Sequence, residues 1–208
     1  MRDLKDCVVY DVEVVNGPDE IPGGWENPEG MGFASGVTYD YATDLYEFFM
    51  HEAGAEALRK KLTNRIAVSF NGIKFDSKVM LGNDRECKQG FTFTSDSAYM
   101  WFNFDILLEY IKGRFGYETV AEAEDRLGDR KIHDGSFNLD ALCKATLGAG
   151  KTGHGAHAPV LYQKKQYDAL LAYNFNDVRI SKKLFDFIRK YGFVVDGNGN
   201  ATRIIWSD

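Results

Sequence analysis

Residues 7–15, CVVYDVEVV, decide how the rest of the chain is read. The run is β-branched and apolar apart from Tyr10, Asp11 and Glu13, the pattern of a central strand covered on both faces. Asp11 and Glu13 stand two residues apart, so in a strand both side chains leave the same face. Like charges in an apolar strand are unfavourable unless something compensates them. Solvent at an exposed strand end would do so, and so would a divalent cation, which takes hard oxygen ligands.

Working outward, residues 16–32 (NGPDEIPGGWENPEGMG) are rich in Gly, Pro and Asn and predict a long surface loop. Residues 33–39 and 45–50 alternate as strands around a turn at 41–44. Residues 54–62 (GAEALRKKL) predict a short amphipathic helix, and 65–70 (RIAVSF) a further buried strand. A helix is expected at 77–81, a less regular stretch including 91–94, and helical spacing over 104–115. Residues 137–147 (FNLDALCKATL) predict a helix ending at Gly148, a C-cap residue. The longest helical signal is 167–191, where Leu170, Leu171, Ile180, Leu184, Phe187 and Ile188 recur at three- and four-residue steps. Residues 193–196 and 201–206 flank a GNGN turn and predict a β-hairpin. Strands joined by short turns, then a helix and another strand, give a mixed α/β order. At 208 residues the chain fits one domain, residues 1–208, with the hairpin in 193–208.

Two further acids stand at structured positions. Asp76 ends NGIKFD (71–76), directly after the strand predicted at 65–70. An acid there suits a helix N-cap or first turn, and equally a site at a strand end. Tyr173 and Asp177, in YNFND (173–177), are four apart within the long helix and so share a helix face. An aspartate inside a helix is a mild propensity cost and commonly marks a solvated position.

The combination of D-x-E in the first strand, N-x-x-x-F-D after a later strand and Y-x-x-x-D in a late helix resembles the three exonuclease motifs of the DEDDy branch of the DnaQ-like (RNase H-like) superfamily. SFNLDALCKATLGAGKTGHG (136–155) is also similar to the stretch before the third motif in YprB-like exonucleases and family B polymerase proofreading domains. The resemblance implies an RNase H-like fold, a mixed central sheet flanked by helices, here with a C-terminal hairpin. It implies a 3′–5′ exonuclease acting on single-stranded DNA or RNA 3′ ends with two divalent ions, Mg²⁺ or Mn²⁺. Asp11 would bridge both ions, Glu13 and Asp177 would complete one site, Asp76 would serve the second, and Tyr173 would orient the attacking water. Asn71 and Phe75 of the second motif, with Lys151 and His154 of the Gly-rich loop, are the expected substrate contacts. Members of this branch commonly carry threonine where Val14 stands, which puts contacts to the terminal nucleotide in question. The related histidine branch places its histidine five residues before the last aspartate, where this chain has Ala172. An RNase H-like endonuclease or resolvase and an inactive nucleic-acid-binding module are the rival readings, and replication or repair proteins are conceivable partners.

Bulk properties fit these readings without deciding between them. A net charge of −6 argues against a broad basic face that coats nucleic acid, but not against a site that holds phosphates through metal ions. Four carboxylates suit Mg²⁺ or Mn²⁺ better than zinc. Cys7, Cys87 and Cys143 are scattered and odd in number, which disfavours a disulfide framework and fits a reducing cytoplasm. No apolar run approaches a membrane span, and the first residues do not read as a signal peptide. A monomer is compatible with this composition, and the size suits a phage or mobile-element protein. ATLGAGKT (145–152) fits a relaxed phosphate-loop pattern but follows a predicted helix, and GHGAHAP after it is a poor helix start. His154 and His157 lack a third ligand nearby and read as loop residues. Trp25 and Tyr99–Phe102 are candidates for stacking on bases, although core packing is the commoner role of such residues.

Overall fold

Strand β1 (Cys7–Val14) sends its side chains alternately into two apolar layers. Val8, Tyr10, Val12 and Val14 join Leu58, Leu62 and Trp101 on one side. Cys7 and Val9 join Val178, Leu184 and Phe185 on the other. Asp11 and Glu13 prolong that second row, so the acids replace core residues at the end of an otherwise apolar stripe. This computed structural model describes residues 3–88, 90–128, 132, 135–150 and 157–206.

Around β1 lies a mixed sheet of β2 (Phe33–Asp40), β3 (Leu45–Met50), β4 (Ile66–Ser69), β5 (Arg85–Lys88), β6 (Phe91–Thr94) and β7 (Met100–Asp105), in the order β3-β2-β1-β4-β7-β6-β5. β1, β2 and β3 form an antiparallel meander, with Val12 opposite Gly36 and Ser35 opposite Met50. β4 runs parallel to both β1 and β7, and β6 and β5 extend the sheet antiparallel beyond β7. Helices flank the sheet: α1 (His51–Leu62), α2 (Asp76–Leu81), α3 (Ile106–Phe115), α4 (Val120–Leu127), α5 (Leu139–Leu147), α6 (Ala158–Gln163) and α7 (Tyr167–Tyr191). The expectation of a mixed α/β sheet flanked by helices therefore holds.

The hairpin of β8 (Phe193–Val195) and β9 (Ala201–Arg203) forms a second, two-stranded sheet, shorter than the hydrophobic runs suggested. Asp196 explains the shortening. Its carboxylate accepts hydrogen bonds from the Asn198 and Asn200 backbone N–H groups and from Tyr110 Oη, closing the turn early. Trp206 then packs edge-on against Phe104 and Phe185, which ties the tail into the main core.

Two expectations need correction. Residues 104–115 are not one helix, because Phe104 and Asp105 close β7 and the Asp105 carboxylate caps α3 by accepting from the Leu107 and Leu108 N–H groups. The residues after GHGAH do open a helix, α6, because Pro159 in its first turn needs no N–H partner there. The segment still cannot be a phosphate loop of the usual kind, since helix α5 rather than a strand precedes it. Loop 16–32 is locally ordered, with 3-10 turns at Pro18–Glu20, Gly24–Glu26 and Pro28–Met31, and Pro28 and Met31 are buried. No described helix is long and apolar enough to cross a membrane.

Candidate metal centre

The pairing of β1 with β4 ends at Val9 opposite Val68, while β1 continues alone on that side to Val14. The two parallel strands thus part at their C-terminal ends, where open α/β sheets form their ligand crevices. The cleft here has a volume of about 150 Å³ and is lined by Asp11, Val12, Glu13, Phe70, Asn71, Phe75, Asp76, Tyr173 and Asp177. Seven of the nine residues named from sequence alone therefore share one cleft. The other two, Lys151 and His154, lie outside the described residues.

The sharpest grouping is Asp11, Glu13 and Asp177, each offering a carboxylate oxygen within 4.8 Å of the others. Glu13 is 7% exposed and Asp177 3%, so the group sits where water screens poorly. Three crowded carboxylates, two of them buried and Asp11 half-buried, are the donor set of a hard divalent cation and could hold one. Asp76, 4% exposed, stands apart from that trio. Its Oδ1 accepts from the Val12 N–H at 2.9 Å, on the side of β1 that β4 has vacated. Asp76 thus takes the place of a strand partner and keeps the cleft open beside the acids.

Tyr173 faces the trio from α7. Burial pushes its phenol far above the usual value, the charges of Glu13, Asp177 and Asp11 push it further, and its hydrogen bond to Asp177 adds to the shift. Tyr173 thus holds its proton and shares it in a hydrogen bond with Asp177. One α7 turn carries both Tyr173 and Asp177 to the cleft because residues four apart share a helix face.

Two positioning residues escaped the sequence reading. Asn174 is completely buried; its Nδ2 donates to Asp11 Oδ2 at 2.7 Å and its Oδ1 accepts from Ser35 Oγ at 3.4 Å. This links the third motif and β2 to the first acid. The available signal was its position three residues before Asp177, on the buried face of α7. The second is Asp105, at the end of β7. Besides capping α3, its carboxylate accepts from the Asn71 N–H at 2.9 Å and the Ile73 N–H at 3.0 Å. Burial pushes the Asp105 carboxyl up while these backbone donors pull it down, and burial prevails.

Asp105 fixes a turn that only this sequence tolerates well. Asn71 adopts φ +65°, a left-handed conformation in which asparagine is enriched. At Gly72 a Cβ would lie 2.4 Å from Ser69 Oγ and 2.8 Å from Tyr10 Oη, so no larger residue fits. The chain then turns back, Ser77 N–H bonding to Gly72 O, and delivers Asp76 at the first turn of α2. Behind the turn, Arg85 donates to Ser77 Oγ and Ile73 O.

The chain matches no protein-family model and no curated protein.

Proposed function

We propose that this chain is a metal-dependent 3′–5′ exonuclease of the DEDDy type on an RNase H-like fold. The observation that carries the reading is the convergence of Asp11, Glu13 and Asp177 within 4.8 Å, in one cleft with Asp76 and with Tyr173 bonded to Asp177. Acids from a strand, a turn and a helix far apart in sequence have no packing reason to gather at the end of an apolar row. The mixed sheet with its antiparallel meander and parallel extension is compatible with the RNase H-like fold.

Mg²⁺ or Mn²⁺ bound in such a site supplies a nucleophilic water and neutralises charge on the attacking and leaving oxygens of an in-line phosphodiester displacement. Asp11, Glu13 and Asp177 would be the protein's oxygen donors, with Asp76 across the cleft. Asn174 holds Asp11 in one rotamer, so the donor set is arranged before substrate arrives. Tyr173 keeps its proton and can orient a water or a phosphate oxygen by donating to it. Asn71 and Phe75 line the same cleft and would meet the terminal nucleotide.

The test is digestion of matched 3′- and 5′-labelled single strands of DNA and RNA, beside a closed single-stranded circle, with Mg²⁺ or Mn²⁺. Mononucleotide release from the 3′ end is expected, the circle remaining intact, with Asp11→Ala inactive. Cutting of the circle would make the protein an endonuclease, and an Asp11→Ala variant as fast as wild type would remove the site from consideration.

A further inference from the structure

Trp25 stands 55% exposed beside this cleft. Tryptophan is among the more deeply covered residues of folded proteins, so a half-bare indole held in place calls for an occupant. Its ring meets Phe75 at a centroid distance of 5.9 Å and a tilt of 51°, and Phe75 itself lines the cleft of the acids. The two rings form a continuous aromatic step from the acids outward to solvent.

The loop beneath Trp25 is braced on all sides. Its two ends are joined by Val15 N–H to Gly32 O at 3.0 Å and Asn16 N–H to Met31 O at 2.9 Å. Gly23 at φ +85° and Gly24 at φ +52° turn the chain sharply just before the indole. Asn27 Nδ2 donates to Pro22 O across that turn. Gln163 of α6 reaches over to donate to the Glu20 carboxylate at 3.0 Å, and Glu26, next to Trp25, pairs with Lys74 at 3.8 Å. Met31 is buried against the Val79 and Met80 side of the core. A loop so tied presents its indole in a set position, and the ordering cost of binding has been met in folding. The other aromatic stretch with stacking potential, residues 99–102, is committed elsewhere: Trp101 is buried and Tyr99 donates to Glu56.

We infer that Trp25, backed by Phe75, is a stacking platform for an unpaired nucleobase of a single-stranded substrate whose 3′ end lies among the acids; this rests on the nuclease reading above. Every base has a π-face, so the platform selects unpaired over paired strands while tolerating any sequence. A base inside a duplex is covered on both faces and cannot use it. Single-stranded ends, or ends that fray, are therefore the substrates the platform favours.

The experiment uses an oligothymidylate with a free 3′ hydroxyl. Steady-state cleavage in Mn²⁺ is measured for wild type, Trp25→Ala and Trp25→Phe, and tryptophan emission is titrated with the same oligonucleotide in Ca²⁺ without turnover. Trp25→Ala should raise KM roughly 5- to 150-fold, as loss of one base–aromatic stack implies, with kcat within about twofold. Trp25→Phe should stay within about threefold of wild type in KM but lose the emission quench on binding, since Trp101 is buried and Trp206 is packed against Phe104 and Phe185 in the main core. Retention of stacking by phenylalanine separates this role from support of the loop. If wild type digests the oligonucleotide while Trp25→Ala keeps its KM and the quench does not depend on Trp25, the platform is refuted and the nuclease reading stands. If wild type neither cleaves nor binds it or the matching oligouridylate, both fall.

Discussion

Replacing Asn174 by leucine removes one hydrogen bond to a carboxylate while nearly preserving side-chain volume. The Asn174–Asp11 bond is short, 2.7 Å, and one partner is completely buried. A bond to a charged group is worth about 1.5–3 kcal/mol, and the longer neutral bond to Ser35 about 0.5 kcal/mol. Leucine recovers part of this by burying apolar surface, leaving a net loss of about 2 kcal/mol. With a urea m-value of about 2–3 kcal/mol/M for a chain of this size, the unfolding midpoint in EDTA should fall by roughly 0.7–1 M. A second reading comes from Mn²⁺. A positioning partner of a ligand typically changes metal affinity about 10- to 100-fold, so saturating ion should stabilise the variant by about 1.4–2.7 kcal/mol less than wild type. Ser35→Ala should shift the EDTA midpoint by less than about 0.3 M. A midpoint for Asn174→Leu within about 0.2 M of wild type, together with unchanged Mn²⁺ stabilisation, would show that Asn174 neither holds Asp11 nor arranges the donor set.

Other perturbations separate chemistry from architecture. Asp177→Asn relieves repulsion among three carboxylates within 4.8 Å, so in EDTA its melting temperature should rise by about 2–4 °C while cleavage falls at least about 10³-fold; a drop in both would mean the trio is not mutually strained. Asp105→Asn leaves some of four backbone donors without an acceptor and should cost about 3 kcal/mol in urea unfolding, with faster amide exchange at Asn71 and Ile73; unchanged exchange there would rule out the clamp. Burial pushes the Asp40 carboxyl up, but Arg65, Lys61 and the Ala42 N–H more than offset this and hold it at about 2. Its folded value is thus below the unfolded one near 3.9, so its contribution is complete above about pH 4 and lost as pH falls through about 2. Arg65→Met should move acid unfolding to higher pH, and an unchanged acid midpoint would contradict the pairing.

Periodic and β-branched segments were readable because their burial leaves a repeating mark. β1 is a β-branched run of eight residues, β2 and β3 are apolar strands of eight and six, and α7 repeats apolar residues at period 3.6 over 25. The elements missed lack such a mark. β5 is RECK, a polar edge strand paired in register with β6. VAEAEDRL of α4 is short and highly charged. The end of β7, Phe104 and Asp105, was read into α3 because apolar residues recur across the boundary in FDILLEYI, and only the cap made by Asp105 divides it. The acids of the candidate site were legible because charge inside apolar periodicity is conspicuous. Asn174 and Asp105 were not, because their importance lies in partners 163 and 34 residues away.

That distance of 163 residues between Asn174 and Asp11 has a consequence for the protein's birth. At roughly 5–20 residues per second, on the order of ten to thirty seconds separate the synthesis of the two. Throughout that interval the first acids exist without the helix that completes their cleft. Whatever hydrolytic power the finished cleft has is therefore withheld while the ribosome and its message are within reach. For the proposed nuclease, maturation would be a safeguard that needs no inhibitor: activity would begin only when the chain's late helix docks upon its earliest strand.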